Sequence, residues 1–415
     1  MKPTPIRCPG PLAGLLVGLA LTAAAREGLA APCSTLGAQP VVYVENGDTQ
    51  EPLLKRLGYA LARTGAPLRI VYKNLPTCTL AADMYGGKSL VNDATGARPI
   101  RYVPMPAEDP TWDPKMPSPT CEADDPGGHP IGLGIGATYL SSCPTLPAKP
   151  ADLAVTNGPI QAYGLIVPLA SPEVAITAEE GYFAYGFPAG EGMASPWLDQ
   201  ALRFSRGPTA STALTLAAAM GLRASALRGT VPANNTSSEV LALLAASPNP
   251  SATIGLMGTE VYDTVRERVK LLAFRALGQR YAYFPDTSAT SFDKRNVRDG
   301  HYLPWSPTPY IARVDGAGIP VDANVRRVFE LVLGMRVEPG LDGLDAVTAS
   351  GLVPECAMRV TRAGDGADLA LFSAKEPCGC AFEAKVPGGS TTCAACSDTT
   401  PCAAGVCRHG YCEAR

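Results

Sequence analysis

The stretch "PVVYVENGDTQEPLLKRLGYALARTGAPLRIVYKN", residues 40–74, decides the fold class. Its apolar run at 40–44 predicts a buried strand that ends in a turn, and 68–74 predicts a second strand. Between the two, leucines recur at helical spacing: Leu53, Leu54, Leu57 and Leu61. Gly65 is a suitable stop signal for that helix. A strand, a helix and a strand in this order predict a parallel sheet and an α/β protein.

The rest of the chain continues the alternation of strands and helices. Strands are predicted at 131–143, 161–171 and 252–258, with helices at 177–187, 211–222, 237–247, 260–274 and 323–334. A segment rich in Pro, Asp and Gly, residues 98–130, predicts a long surface excursion. At 415 residues the chain is too long for one compact core, so more than one domain is expected.

Charge and hydropathy exclude some classes of partner. The net charge is −3 and there is no long basic run, so nucleic acid is not expected as a partner. Residues 1–31 predict a signal peptide, because a basic start precedes an apolar core and small residues near Ala30 and Ala31. No later run of 18 apolar residues follows, so no membrane span is expected after signal removal. The protein is expected to be exported, to the periplasm, the cell surface or the medium.

The cysteines agree with export. Of 13, Cys8 leaves with the signal peptide, and the other 12 form two groups, four before residue 144 and eight after residue 355. An even number in an exported chain predicts disulfides, most simply paired within each group. The spacing Cys393-x2-Cys396 leaves a zinc site open as the alternative. The Cys-rich tail is similar to short appendages on exported bacterial proteins, where a surface anchor or sorting element is one role.

Sequence motifs argue against an enzyme. The three histidines, His129, His301 and His409, lie far apart, and no metalloprotease, nucleophile-elbow, Walker or dinucleotide motif is present. One stretch, "SFDKRNVRDGHYLPW" (291–305), is dense in charge. One interpretation is a segment that lines a ligand cleft with His301 or Arg298. The other is a crossover between two parts of the fold, in which Lys294, Arg295 and Arg298 pair with Asp293 and Asp299. We favour the crossover, in which Tyr302 and Trp305 pack against the sheet formed by the first part of the chain. No metal, cofactor or catalytic residue is expected.

The chain order of "ENGDT", "GLIVPLAS", "TAEEGYFAYGF", "SRGPTAST", "ATIGLMG" and "NVRDGHYLPW" resembles the periplasmic substrate-binding proteins of the second class, in particular the phosphate-binding type. The resemblance covers residues 38–335. It implies two α/β lobes with mixed sheets that close over a ligand about a hinge. Lobe one is then 38–155 plus 285–335, and lobe two is 160–280. Residues 336–415 would form an extension and a small disulfide-rich module.

The resemblance also implies an anion site built from helix N-termini and hydroxyls, where free N–H groups and the helix dipole favour negative charge. The ligand-binding residues implied by it are Asn46, Gly47, Thr49, Thr138, Arg206, Thr209, Ser211 and Thr212. For the three hydroxyls after Arg206, capping of the helix is the alternative role. The chain departs from the family at Ala210, which replaces a glycine, and at Tyr139, which replaces an acid. Glu45 and Asp48 oppose a dianion.

Two functions are therefore expected. The first is capture of a small anion, phosphate or a similar oxyanion, between two lobes without chemistry, with a membrane transporter or a cell-surface component as a further partner. The second is a cell-surface structural or interaction protein that keeps the fold and has lost ligand binding.

Overall fold

The computed structural model describes residues 30–414 except Ala189, Met193 and Asp398. The predicted signal peptide, residues 1–31, lies outside the described residues apart from its last two. None of the helices in the described part is both long and apolar enough to cross a membrane.

Ten α-helices are present in the described residues: α1 (Glu51–Leu61), α2 (Thr77–Tyr85), α3 (Ala178–Gly186), α4 (Ser211–Ala219), α5 (Ser237–Ala245), α6 (Thr259–Tyr262), α7 (Arg295–Arg298), α8 (Ala323–Val332), α9 (Gly343–Ala349) and α10 (Gly379–Lys385). Strands up to the middle of the chain are β1 (Ala31–Pro32), β2 (Val41–Asn46), β3 (Arg69–Asn74), β4 (Ser89–Leu90), β5 (Ile100–Tyr102), β6 (Thr120–Glu122), β7 (His129–Pro130), β8 (Leu133–Ile135), β9 (Leu153–Pro168), β10 (Ala175–Thr177) and β11 (Arg203–Phe204). The later strands are β12 (Ile254–Gly258), β13 (Val269–Leu271), β14 (Ala273–Arg275), β15 (Trp305–Arg313), β16 (Val337–Glu338), β17 (Leu341–Asp342), β18 (Val360–Thr361), β19 (Ala370–Leu371), β20 (Val406–Arg408) and β21 (Tyr411–Glu413).

One large mixed sheet organises the molecule. Ten of its 11 strands follow the order β1-β6-β5-β3-β2-β8-β15-β9-β12-β11, and β13 also pairs with β9. Strand β2 is parallel to both β3 and β8, as the strand–helix–strand pattern predicts. Strands β8, β15, β9 and β12 are antiparallel neighbours. The predicted α/β class with mixed strands is confirmed.

Two long strands connect the two sides of this sheet. Strand β9 pairs with β15 from Leu153 to Ala162, and its later residues pair with β12 and β13. Strand β15 runs antiparallel to it, back toward β8. The chain therefore crosses outward along β9 and returns along β15.

Separate hydrophobic clusters lie on the two sides. In the first, the leucines predicted to face inward from α1 are at most 1% exposed and pack on β2, β3 and α8. In the second, residues of β9, α3, α4 and β12 pack around Trp197 and Trp305. The C-terminal region contributes to both clusters, with Val347 in the first and Phe382 in the second. Residues 31–415 consequently cluster as one unit.

The described cysteines form six disulfides, all within the two predicted groups. The pairs are Cys33–Cys121, Cys78–Cys143, Cys356–Cys378, Cys380–Cys393, Cys396–Cys407 and Cys402–Cys412. The sulfurs of Cys396, Cys402 and Cys412 lie within 4.8 Å of one another. Because each belongs to a disulfide, none offers the thiolate that zinc requires, and pairing rather than metal binding describes the tail.

One predicted helix is wrong. Residues 260–274 form the single-turn α6 and then β13 and β14. Val269 and Leu271 pair with β9, and Ala273 and Arg275 pair with β10. The apolar run "VKLLAF" satisfies helical and strand patterns alike, and its partners in the sheet decide between them.

Candidate functional site

The two segments predicted to bind an anion meet in the structure. Gly47 and Asp48, before α1, and Arg206 and Ser211, at the start of α4, line one cavity of about 60 Å³. Arg98 and Arg101 also line it, and neither has a carboxylate within salt-bridge distance among the described residues. The cavity is thus small and rich in arginine.

Arg206 is buried and largely committed to protein partners. Its guanidinium donates to Asp48 Oδ2 at 3.0 Å, Ser237 Oγ at 2.8 Å, and the Asn235 side chain and carbonyl at 3.0 and 2.5 Å. A guanidinium has five N–H donors, so these contacts use four. One N–H remains for a further acceptor. The pairing with Asp48 also connects the turn before α1 to the turn before α4.

The predicted hydroxyls near Arg206 do not cap α4. The residue before the helix is Ala210, and no side chain caps the helix. Ser211 and Thr212 are the first helical residues, and the buried Thr212 Oγ1 has no hydrogen-bond partner in the described part of the chain. Thr209 is half-buried, and its carbonyl accepts from the N–H of Cys78. The N–H groups of the first turn are therefore left without a side-chain acceptor.

In the other predicted segment, residues 46–49, polar groups are likewise buried or bonded within the protein. Asn46 donates to the Asn74 side chain at 2.8 Å, and Gly47 donates its N–H to the carbonyl of Ile135. Thr49 is buried, and its hydroxyl is without a partner among the described atoms. Of the predicted residues, the structure brings Gly47, Arg206 and Ser211 to one cavity.

A chain of two buried amides and one acid begins at Gln50, the residue before α1. The Gln50 side chain donates to Gln161 on β9 at 3.3 Å, and Gln161 donates to Glu260 at the start of α6. Burial, followed by the nearby charge of Asp48, raises the pKa of Glu260 well above its usual range. Burial therefore favours the neutral form of this carboxyl group, and its Oε1 has no hydrogen-bond partner among the described residues.

Thr138 lies apart from the cavity, in a group of hydroxyls around Asp365. Thr138 and Ser142 each donate to Asp365 Oδ2 at 2.6 Å. Ser306 and Thr215 donate to Oδ1, Thr215 at 3.4 Å. The Asp365 side chain is 2% exposed. Sequence reasoning missed this carboxylate, since "RAGDG" has the composition of an ordinary surface loop.

The crossover interpretation of residues 291–305 describes what is observed better than the cleft interpretation. His301 is exposed and stacks on Tyr283 with ring centroids 5.0 Å apart. Arg298 is buried against the C-terminal region, where it donates to Glu383 at 2.9 Å. Trp305 and Tyr302 belong to the second hydrophobic cluster, so their predicted packing on the first lobe is wrong.

Glu45 carries a raised pKa close to the candidate site. Burial, and secondarily the charge of Asp83, raises that pKa to about 8, although Lys73 and Lys88 act in the opposite direction. At neutral pH most Glu45 side chains are consequently protonated. The predicted repulsion between Glu45 and an anion is thereby weakened, whereas Asp48 remains in contact with Arg206.

Glu45 predicts a pH dependence of stability. A folded-state pKa above the unfolded value means that the folded protein holds an extra proton between about pH 4.5 and 8, so this contribution to stability is present at low pH and lost as the pH rises. We expect Glu45→Gln to flatten the fall in melting temperature over this interval, by an amount equivalent to a few kcal/mol. Thermal unfolding of the wild type and the variant from pH 5 to 8 measures it. The exposed Glu267→Gln is the control, and equal slopes for all three proteins would contradict the assignment.

Comparison with solved structures gives matches to phosphate-binding proteins and to OxyR regulatory domains. The chain is similar to a possible phosphate-binding protein from Planctomyces limnophilus, with 10% identity over 77% of this chain and 94% of that one and a TM-score of 0.42. It is likewise similar to an ABC-type phosphate transport receptor from Vibrio cholerae, with 12% identity over 75% and 99% of the chains and a TM-score of 0.43. The reduced OxyR regulatory domain from Pseudomonas aeruginosa matches at 11% identity over 70% and 94%, with a TM-score of 0.36.

Phosphate-binding proteins are among these matches, as the resemblance seen in the sequence implies. At these identities it concerns the fold alone. No protein-family model matches the sequence, and no curated protein matches it.

Proposed function

We propose that this protein binds a small oxyanion, phosphate or one similar to it, in the cavity between Gly47 and Ser211, without chemistry. The observation that carries the proposal is the start of α4. This helix begins at an uncapped turn that lines the cavity beside Arg206. Free N–H groups at a helix start, a positive dipole end and an arginine together favour a negative charge.

Size and charge restrict the ligand. A cavity of about 60 Å³ excludes organic molecules the size of a sugar or a nucleotide. Arg206, Arg98 and Arg101 supply positive charge, and the carboxylate of Asp48 supplies an acceptor. An oxyanion that retains a proton can donate it to Asp48, whereas a fully ionised one is repelled. Partly protonated phosphate satisfies this condition better than sulfate.

An exported location, with a membrane transporter or cell-surface component as the partner, is part of the same proposal. Six disulfides require an oxidising compartment. Several of the matched proteins are described as phosphate receptors or transport proteins. The periplasm, the cell surface and the medium all meet the requirement.

A second candidate is a structural or interaction protein that has lost ligand binding. It is favoured by the charge pairing observed: Asp48 takes up Arg206, and Asp365 takes up the hydroxyls around Thr138. In that case the carboxylates of the chain replace a free anion permanently.

Titration calorimetry with phosphate, sulfate, molybdate and acetate separates the two candidates. We expect saturable heat with phosphate, a loss of affinity of at least roughly tenfold in Arg206→Gln, and a loss of the preference for phosphate over sulfate in Asp48→Asn, because charge-assisted hydrogen bonds contribute about 1.5–3 kcal/mol each. Arg326→Gln, on the exposed side of α8, is the matched control. If folded wild-type protein gives no heat with any of the four anions, the anion proposal fails and the structural candidate stands.

A further inference from the structure

The loop between β18 and β19, residues 362–369, places its acid inside the molecule. The short antiparallel pair β18–β19 forms the base of the loop. The ideal Cβ position at Gly364 lies 3.5 Å from Ser141 Oγ, and that at Gly366 lies 3.7 Å from the Ala218 carbonyl. The tip of the loop therefore lies between the turn at 139–142 and helix α4, and Asp365 is the residue at its centre.

The donors to Asp365 come from distant parts of the chain. Thr138 and Ser142 follow β8, Thr215 lies one turn into α4, and Ser306 lies on β15. We call these four hydroxyls the hydroxyl cradle. They lie 59–227 residues from Asp365 in the sequence. Residues this far apart have converged on two carboxylate oxygens, and each oxygen accepts two hydrogen bonds.

The cradle has the chemistry of an anion site. All four side chains present hydroxyl donors, and Arg362 adds a positive charge 3.7 Å from Asp365 Oδ1. Arg362 is held in place by stacking over the Trp305 ring, 4.2 Å from its centroid. Without the carboxylate, the donors can only bond to one another, as Thr138 and Thr215 do at 3.0 Å. A carboxylate only accepts hydrogen bonds and satisfies all four donors at once, so the cradle favours an anion over a neutral group.

We propose that the hydroxyl cradle is a carboxylate-binding site and that Asp365 is its built-in ligand. The C-terminal region thereby holds the turn at 138–142 against α4 and contributes an acceptor that a free anion would otherwise supply. In the wild-type protein the Asp365 carboxylate accepts from all four of these hydroxyls. The proposal is independent of anion binding beside Arg206, because the two sites share no residue.

Chemical rescue tests the proposal. Asp365→Ala removes a group of the size of formate, and Asp365→Gly removes one of the size of acetate. We expect either variant to lose roughly 3–5 °C in melting temperature. Millimolar formate should restore much of the loss in the Ala variant, and acetate in the Gly variant, with saturation. Wild type and Asp368→Ala, an exposed acid of the same loop, should show neither the loss nor the rescue.

Three measurements make the outcome decisive. Chloride at equal ionic strength must not reproduce the rescue, and the rescue must persist when Arg206→Gln is added, which separates this site from the cavity beside Arg206. Should the Asp365 variants not fold, Ser142→Ala is compared with its exposed neighbour Ser141→Ala by hydrogen exchange. Faster exchange of residues 362–369 only in the former supports the proposal. Folded Asp365 variants without anion-dependent stabilisation, or equal exchange in the two serine variants, would overturn it.

Discussion

Gly300→Val is expected to destabilise the protein by about 3–5 kcal/mol or to prevent folding. Gly300 has a φ of +79°, which β-branched residues rarely adopt. An added Cβ would lie 2.7 Å from Leu369 Cδ1 and 3.1 Å from Val360 Cγ1. Backbone strain and steric overlap therefore add at one position. Denaturant unfolding followed by circular dichroism measures the loss.

Two control variants separate the causes. Gly278 has a φ of +78° but no heavy atom within 4 Å of its Cβ position, so Gly278→Val shows the cost of the backbone alone. His301→Ala, at the next position after Gly300, removes an exposed ring and should cost less than about 1 kcal/mol. It should also leave anion affinity nearly unchanged. If Gly300→Val is no worse than Gly278→Val, the proposed overlap with Val360 and Leu369 is wrong.

Lys294→Met is expected to cost about 3–5 kcal/mol, because it leaves buried carboxylates with less positive charge. Lys294 is 1% exposed, and its ammonium donates to Asp263 at 2.8 Å and Asp286 at 3.0 Å. Burial acts to lower the pKa of Lys294, but the two carboxylates outweigh it, and the pKa lies above its usual range. Arg266 contacts the same two acids and compensates in part.

The second substitution Asp286→Asn should recover part of the stability lost in Lys294→Met, since it removes one of the uncompensated charges. The pair of the exposed Lys88 with Asp83 is the matched control, and Lys88→Met should change stability by less than about 1 kcal/mol. Urea unfolding of the single and double variants measures both effects. Equal losses for Lys294→Met and Lys88→Met would show that burial adds nothing to this ion pair.

Local pattern predicted much of the fold. The leucine spacing of α1 and the apolar runs of β2 and β3 each require one buried face, so a parallel β–α–β unit follows from residues 40–74 alone. The grouping of the cysteines was predicted correctly as well, because cysteines in one part of the chain tend to meet there. The helix predicted over residues 260–274 was wrong, because an apolar run without alternating polar residues fits either a helix or a pair of strands.

The candidate site was predicted in part. Arg206 and the turn at Gly47 could be singled out because a polar turn before a helix is a local signal. The pairing of Arg206 with Asp48 could not be predicted. The role of Thr138 could not be predicted either, because its acceptor, Asp365, lies 227 residues further along the chain. In the same way Lys294 pairs with Asp263 and Asp286 rather than with its neighbour Asp293.

By itself, then, the amino-acid sequence determined the α/β class, the crossover character of residues 291–305 and the starts of α4, α5 and α8. These depend on periodicity and on residues within one or two turns of each other. The tertiary structure decided which charges meet: Asp48 with Arg206, Lys294 with two aspartates, and Asp365 with the hydroxyl cradle. A buried charge must find a partner wherever the fold brings one, and separation along the chain places no limit on which residue that is.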